Sequence, residues 1–247
     1  MIEKTEFICL DCETTGLDIV NDHVIEVAAV RFTFEGVIDS FETLINPGCP
    51  ISLASQAIHH ISDEMVVDAP PIEEVLPTIL KFVEGHIIVG HGIGFDMEVL
   101  AGAAQKKEIP CSLRSNKLID TLRLARLYGE SPVNSLDSLR QHFNIEWQGA
   151  HRAMADVQVN IEIFKKLSTR FKTVGQLFDT LSKPIQMRLM PLGKYKGREF
   201  KDLPLDYLRW AVRMDFDDDL LFSLKTEMNK RRKGDGFELS GNPFSQL

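Results

Sequence analysis

The chain has 247 residues, 44% of them hydrophobic and 26% charged, with a formal net charge of −8 at pH 7. That length can bury a full α/β core and still carry an appendage, while the acidic balance excludes a protein that holds nucleic acid by a broad positive field. No apolar run approaches the roughly 18 residues of a membrane span and no signal-peptide pattern opens the chain, so the expectation is a cytoplasmic protein without membrane contact.

In chain order, residues 6–12, 24–34 and 37–45 alternate apolar and polar side chains and predict three antiparallel strands, with Glu35-Gly36 as a hairpin turn. The first strand delivers Asp11 and Glu13. Strand side chains alternate faces, so both carboxylates project from one side of the sheet. At about 4 Å they repel by about 4 kcal/mol at an effective dielectric near 20, unless a cation shares them. The alternative is a solvated edge strand with exposed acids, because a lone Asp-x-Glu recurs by chance. Cys9 and Cys12 form a C-x-x-C spacing on the same strand. Positions three apart face opposite sides there, with Cα atoms about 10 Å apart and beyond disulfide reach. Cys49 and Cys111 have no partners at ligand spacing.

Helical patterns cover 73–84, 95–106, 121–128, 135–143 and 152–171, and short strands near 87–90 and 118–120 separate them. Strand 87–90 leads through His91-Gly92-Ile93-Gly94-Phe95 to Asp96 in a first helical turn, where an acid suits the helix dipole. The last of these helices carries a stripe of Ala153, Val157, Ile161, Phe164, Leu167 and Phe171 at the 3.6 period. Asp156 lies at the edge of that stripe, where an unpaired carboxylate is expensive. Residues 173–183 read as a connecting helix ended by Pro184.

Charge divides unevenly along the chain. Residues 1–183 hold 16 Lys and Arg against 26 Asp and Glu, whereas residues 184–233 hold 12 against 8. In the basic segment Lys194, Lys196 and Arg198 interleave with Tyr195, Tyr207 and Trp210, a composition suited to gripping phosphates and stacking bases. The alternative is a helical hairpin whose aromatics form its own core, and the helical Tyr-Leu-x-Trp spacing favours that reading for Trp210. The run Lys230-Arg231-Arg232-Lys233 reads as a solvated helix end, and the composition beyond Gly234 as a disordered tail.

Asp11-x-Glu13-Thr14-Thr15-Gly16, Phe95-Asp96 and His151-x-Ala153-x-x-Asp156 resemble, in order, the three motifs of the DnaQ-like (DEDDh) 3′-5′ exonucleases. Ile51-Ser52 with Gln56-Ala57-Ile58-His59-His60-Ile61, Asp120-Thr121-Leu122 and Ser135-Leu136-Asp137-Ser138-Leu139 resemble the connecting segments, so the likeness runs over residues 5–170. Pro191–Arg198, Leu203-Pro204 and Tyr207-Leu208-Arg209-Trp210 resemble the tail module of the exonuclease X members of that family. Several widely spaced segments in the right order are far more specific than any one of them.

The resemblance implies an α/β fold: an RNase H-like mixed five-stranded sheet flanked by helices, its active site where the first and fourth strands end near the last helix. It implies an exonuclease domain at 1–172, a connecting helix and linker at 173–187, a small basic module at 188–233 and a tail at 234–247. The implied activity is hydrolysis from the 3′ end of DNA, releasing nucleoside 5′-monophosphates in a repair role, with a pair of Mg2+ or Mn2+ ions about 3.5 to 4 Å apart. Asp11, Glu13 and Asp156 would hold the ion that binds the attacking water, Asp11 would bridge to the second, and Asp96 would complete the site partly through water. His151 resembles the general base, an imidazole whose ordinary pKa near 6.5 suits the task; by itself it reads as a surface histidine starting a helix. Thr14, Thr15, Gly16 and Leu17 would receive the terminal nucleotide, with Leu17 wedged against its base, and His59 would line the nucleotide pocket. For Leu17 a core leucine after a strand-ending turn is the competing reading.

Two departures stand out. Gly92 replaces an asparagine of the second motif, which with Gly94 loosens that loop, and Gly94 reads as the residue permitting a tight turn. His60 stands where a glycine is commoner. Other functions remain open: a proofreading subunit with a polymerase or repair-complex partner, an RNA-trimming nuclease in place of one acting on DNA, or a catalytically silent nucleic-acid-binding module.

Overall fold

The structure, a computed structural model, describes residues 2–131, 133–146 and 152–238, with side chains through Arg232. The chain divides into two compact units, Met1–Leu181 and Ser182–Leu247.

The first unit is a five-stranded mixed sheet with helices on both faces. Its strands are β1 (Phe7–Thr14), β2 (Val24–Phe32), β3 (Val37–Leu44), β4 (Ile87–Gly90) and β5 (Leu118–Asp120), in the order β3-β2-β1-β4-β5. β1 pairs antiparallel with β2 and parallel with β4, so it lies at the centre of the sheet. Only a strand covered on both faces tolerates a run such as Phe7-Ile8-Cys9-Leu10, all four residues of which are buried. The outer strand β3 is mostly exposed and carries Asp39, Glu42 and Thr43, which suit an edge.

The helices are α1 (Leu53–His59), α2 (Asp63–Val66), α3 (Ile72–Val83), α4 (Gly94–Lys106), α5 (Thr121–Tyr128), α6 (Leu136–His142), α7 (Ala153–Ser168) and α8 (Val174–Leu181). Even-numbered β1 residues Ile8, Leu10 and Cys12 join one core with Leu76, Ile79 and Val83 of α3 and Val99, Leu100 and Ala104 of α4. Odd-numbered residues face α7. Phe7 meets Phe164 with ring centroids 5.0 Å apart, and Cys9 Sγ lies 3.5 Å from Asn160 Nδ2. Cys9 and Cys12 therefore occupy opposite faces of the sheet, and all four cysteines are free.

Several bounds differ from those the sequence predicts. β1 runs to Thr14, past residue 12, because its ladder with β2 continues through Glu13↔Glu26 and then shifts at a bulge that pairs Thr14 with Val24. Bulges re-aim side chains at the ends of strands. α7 ends at Ser168 where the stripe predicts 171; Phe171 stays buried after the helix stops. α1 and α2 are absent from the periodicity because they bury only His59 and Val66 and so carry no apolar stripe. α8, predicted as a connecting helix, packs in the first unit with Leu177 and Leu181 buried.

The second unit holds α9 (Leu205–Ala211) and α10 (Asp218–Glu238) around a core of Met187, Met190, Phe200, Leu203, Leu208, Ala211, Leu220 and Leu224. α10 continues to Glu238, so the segment expected as a disordered tail begins as helix; residues 239–247 lie outside the described ones. No helix among the described residues is long and apolar enough to cross a membrane.

Candidate active site

The site follows from a match of spacings between β1 and α7. Two strand residues advance about 6.6 Å and four helix residues about 6.0 Å, so i+2 on the strand keeps pace with i−4 on an antiparallel helix. Phe7 meets Phe164 and Cys9 meets Asn160. The next step pairs Asp11 with Asp156. Carboxylate oxygens of Asp11, Glu13 and Asp156 all lie within 4.8 Å of one another, at partly exposed positions.

Asp96 reaches the same neighbourhood from the first turn of α4. It is buried, and its Oδ1 accepts the Cys12 amide N–H at 2.9 Å. The parallel ladder between β1 and β4 covers only Phe7 to Cys9, so Cys12 would otherwise hold a buried, unpaired N–H. One hydrogen bond thus satisfies the end of the strand and fixes an acid between the strand positions of Asp11 and Glu13.

Burial raises Asp11, Glu13 and Asp96, and for Asp11 and Glu13 the neighbouring carboxylates add to it. The Glu13 carboxyl is pushed up to about 8, first by burial and then by the charges of Asp156, Glu26 and Asp96. Asp96 is pushed up to about 7 by burial, against the Cys12 hydrogen bond. Asp11 is raised well above the carboxylate range by burial, followed by Asp96, Asp156 and Glu13. Oxygen-only donors in this crowding are the donor set of a hard divalent cation, which would relieve the repulsion that raises them.

Glu26 and Arg152 complete the arrangement, and neither stands out in the sequence. Glu26 lies opposite Glu13 on β2 and is fully buried. Arg152 Nε donates to both of its oxygens, at 3.0 and 3.1 Å, and the Ala153 amide donates to Oε2 at 2.9 Å. Glu26 thereby caps α7 and fixes the end of the helix from which Asp156 projects. The signal available was an acid inside the apolar run Val24–Phe32, a position that needs a partner. His151, the general base implied by resemblance, lies outside the described residues, next to this fixed Arg152.

The turn after β1 is strongly tied. Thr15 Oγ1 donates to Asp22 Oδ1 at 2.8 Å and accepts the His23 amide, while Ser55 Oγ donates to the Thr15 carbonyl at 2.7 Å. A Cβ on Gly16 would collide with the Asp22 carboxylate, so any larger residue here would displace the side chain that ties Thr15 and the Asp18 amide. Thr14 and Thr15 are buried, yet Leu17 is 86% exposed, which rules out the core-leucine reading. His59 is buried. Its Nδ1 accepts the Ile61 amide at 3.0 Å, which leaves the ring proton on Nε2, a buried atom without a well-formed partner. Burial holds this ring below the ordinary histidine pKa, so it is neutral at pH 7. His60 follows at φ 59°, the left-handed C-cap of α1, which explains why glycine suits that position.

The loop with Gly92 is braced from below. Gly92 adopts φ +75° and its N–H donates to Asp120 Oδ1 at 2.9 Å, while His91 bridges Thr121 Oγ1 and the Asn134 carbonyl at 3.0 and 2.8 Å. The turn therefore requires Gly92; Gly94, expected to serve that purpose, is simply the first residue of α4 without a positive φ. A separate cavity of about 350 Å³ opens near His23, Asn46, Glu73 and Lys106, and none of the four clustered acids lines it.

A family model described as an exonuclease, of the RNase T type, matches residues 8–164, and the chain belongs to this family of nucleases. Residues 179–228 match a second model, described as a putative quorum-sensing-regulated virulence factor. The chain is 38% identical over 171 residues to the PolC-type DNA polymerase III of Caldanaerobacter subterraneus subsp. tengcongensis, covering 69% of this chain and 12% of that protein. It is 36% identical over 181 residues to a DNA polymerase III subunit epsilon-like protein of Rhodobacter capsulatus, covering 70% of this chain and 25% of that protein. The chain thus spans a quarter or less of these relatives. Among solved structures, exonuclease X in complex with 5′ overhanging duplex DNA shares the fold with a TM-score of 0.57 at 24% identity, over 72% of this chain and 99% of that one. E. coli exonuclease I in complex with a dT13 oligonucleotide gives 0.63 at 23%, over 72% and 44%.

The site's electrostatics set two expected outcomes. A carboxyl whose folded pKa lies above its unfolded one binds its proton more tightly when folded, so stability is fullest below the unfolded value and falls as pH rises through the folded one. For Glu13 that window runs from 4.5 to about 8. The melting temperature of chelated protein should fall between pH 5 and pH 8, a loss on the order of 2 to 4 kcal/mol, and Mn2+ should restore it more at pH 8 than at pH 5. Glu13→Gln should flatten the slope. In the second, Glu26→Ala should cost about 2 to 4 kcal/mol in urea unfolding by leaving Arg152 unpaired and α7 uncapped, and Glu26→Gln should cost less because it keeps an acceptor for the Ala153 amide.

Proposed function

We propose that this chain is a divalent-cation-dependent 3′-5′ exonuclease that shortens DNA and releases nucleoside 5′-monophosphates. The convergence of Asp11, Glu13 and Asp156 oxygens within 4.8 Å, in a chain of the exonuclease family, carries this reading. Asp11, Glu13, Asp96 and Asp156 would hold a pair of Mg2+ or Mn2+ ions. Such ions, when bound, lower the pKa of water and neutralise charge developing on a phosphodiester in in-line displacement.

The remaining work belongs to the chain's own groups. His151 would accept the proton of the attacking water, the role that the family resemblance of His151-x-Ala153-x-x-Asp156 supports. The tied turn at Thr14, Thr15 and Gly16 would seat the terminal nucleotide, and the exposed Leu17 would lie against its base. The Nε2–H of His59 is a buried donor suited to an oxygen of that nucleotide. A repair role in the cytoplasm belongs to this proposal. The polymerase names of its relatives favour a second reading, a proofreading exonuclease with a polymerase partner.

Single-stranded DNA, duplex DNA and RNA labelled at the 5′ end should be incubated with Mg2+ or Mn2+. A ladder shortening from the 3′ end of DNA, abolished by chelator, is the expected result; an undegraded substrate would overturn the reading, and faster loss of RNA would replace the substrate. Asp11→Ala and Asp156→Ala should lower kcat by at least about 10³-fold, and His151→Ala by about 10²- to 10⁴-fold while DNA binding persists. Wild-type turnover in any of them would reject the role given to that residue.

A further inference from the structure

The second unit carries a feature that the carboxylate site does not use. Its loop 190–198 is closed on itself: the Met190 amide donates to the Arg198 carbonyl and the Gly197 amide to the Met190 carbonyl, each at 2.8 Å. Gly193 and Gly197 take φ +73° and +83°, conformations that side chains other than glycine rarely adopt. The loop therefore presents Lys194, Lys196 and Arg198, all exposed, in a set arrangement. Lys194 Nζ and the Arg198 guanidinium each lie 5.5 Å from the centre of the Tyr195 ring.

From Tyr195 an aromatic row continues along α9. Tyr195 and Tyr207 meet edge to face at 4.6 Å, and Tyr207 and Trp210 are 5.4 Å apart at 41°. Tyr195 and Tyr207 pack on the unit's core, as the hairpin reading expected, but Trp210 is 51% exposed and so is not the core residue that its spacing suggested. Arg209 and Arg213 flank it. Residues 188–213 hold seven Lys and Arg against three Asp and Glu. Two of those acids are engaged, Glu199 with Lys201 and Asp206 with Arg209, while Lys194, Lys196, Arg198 and Arg213 form no ion pair with a described residue. The acids Asp215, Asp217, Asp218 and Asp219 follow at the entry to α10, where Asp217 and Asp219 accept the Leu220 and Ile185 amides and Asp219 is buried.

We propose that this surface binds single-stranded nucleic acid, with the loop cations on the phosphates and a base stacked on Trp210. The charge selects a polyanion, and the half-exposed indole at the end of an aromatic row selects one with flat faces to offer. Bases of a duplex are stacked on each other and do not reach such a ring, whereas those of a single strand do. This binding site lies in the other unit and goes beyond the reading of the carboxylate cluster.

The test uses the full chain carrying Asp156→Asn to prevent hydrolysis. A fluorescent oligomer of about 12 thymidines and an abasic oligomer of equal length are titrated across a salt series. Trp210→Ala should weaken the thymidine oligomer about 10-fold, leave the abasic one unchanged and leave the salt slope unaltered. Lys194→Gln with Lys196→Gln should weaken both oligomers and reduce the slope of log K against log salt by about 0.7 for each phosphate no longer neutralised. All three positions are exposed, and unchanged melting temperatures would confirm folded variants. Wild-type affinity and slope in both variants would overturn the proposal, as would equal competition by polyglutamate, which would make the surface a dock for an acidic protein. Hydrolysis of short labelled DNA is measured separately on chains with Asp156 intact; inactivity there would defeat the nuclease reading and leave the oligomer result standing.

Discussion

The structure depends on one register, that of α7 along the central strand β1. Phe7, Cys9, Asp11 and Glu13 advance at the strand's two-residue period, and Phe164, Asn160, Asp156 and Arg152 retreat at four-residue steps of the helix. The apolar end of this seam is a buried aromatic cluster in which Phe164 meets Phe7, Phe32 and Phe34 at 5.0 to 6.0 Å. Its wet end is the acid cluster. Packing energy at one end therefore positions charge at the other, about 13 Å along the same two elements.

That placement works against stability. Asp11, Glu13, Asp96 and Asp156 repel one another, and Glu26 adds a fifth carboxylate directly across from Glu13. The structure answers the fifth with Arg152 and the α7 amide, so Glu26 is balanced within the fold. Asp96 is partly answered by the Cys12 amide. Burial and mutual repulsion still raise Asp11 and Glu13 despite the Arg152 charge near Glu13, and such crowded oxygen donors are ones that a divalent ion would relieve.

Much of this was legible in the sequence. The i+2 spacing of Asp11 and Glu13 and the apolar stripe of α7 are periodic signals, and both carried through to the sheet and helix that position the acids. What escaped notice lacked a period. α1 buries one residue and has no stripe, although it supplies His59 and, through Ser55, the brace on Thr15. Glu26 sits in an apolar strand whose register with β1 is a matter of pairing, which a single strand does not display. Trp210 departs from its spacing: spacing indicates where an apolar side chain could be buried, and this one projects into solvent because its neighbours do not cover it, as does Leu17, for which the sequence supports both a buried and an exposed reading. Gly92 and Gly94 look alike in sequence and differ only in backbone angle.

The central claim is that this register gathers scattered carboxylates into one cation site. Titration of the chelated protein with Mn2+ at neutral pH, followed by electron paramagnetic resonance, tests it most directly. Binding of a spin-coupled pair of ions per chain, lost in both Asp11→Asn and Asp156→Asn, is the predicted result. Uptake that is uncoupled, or that survives both substitutions unchanged, would contradict the account.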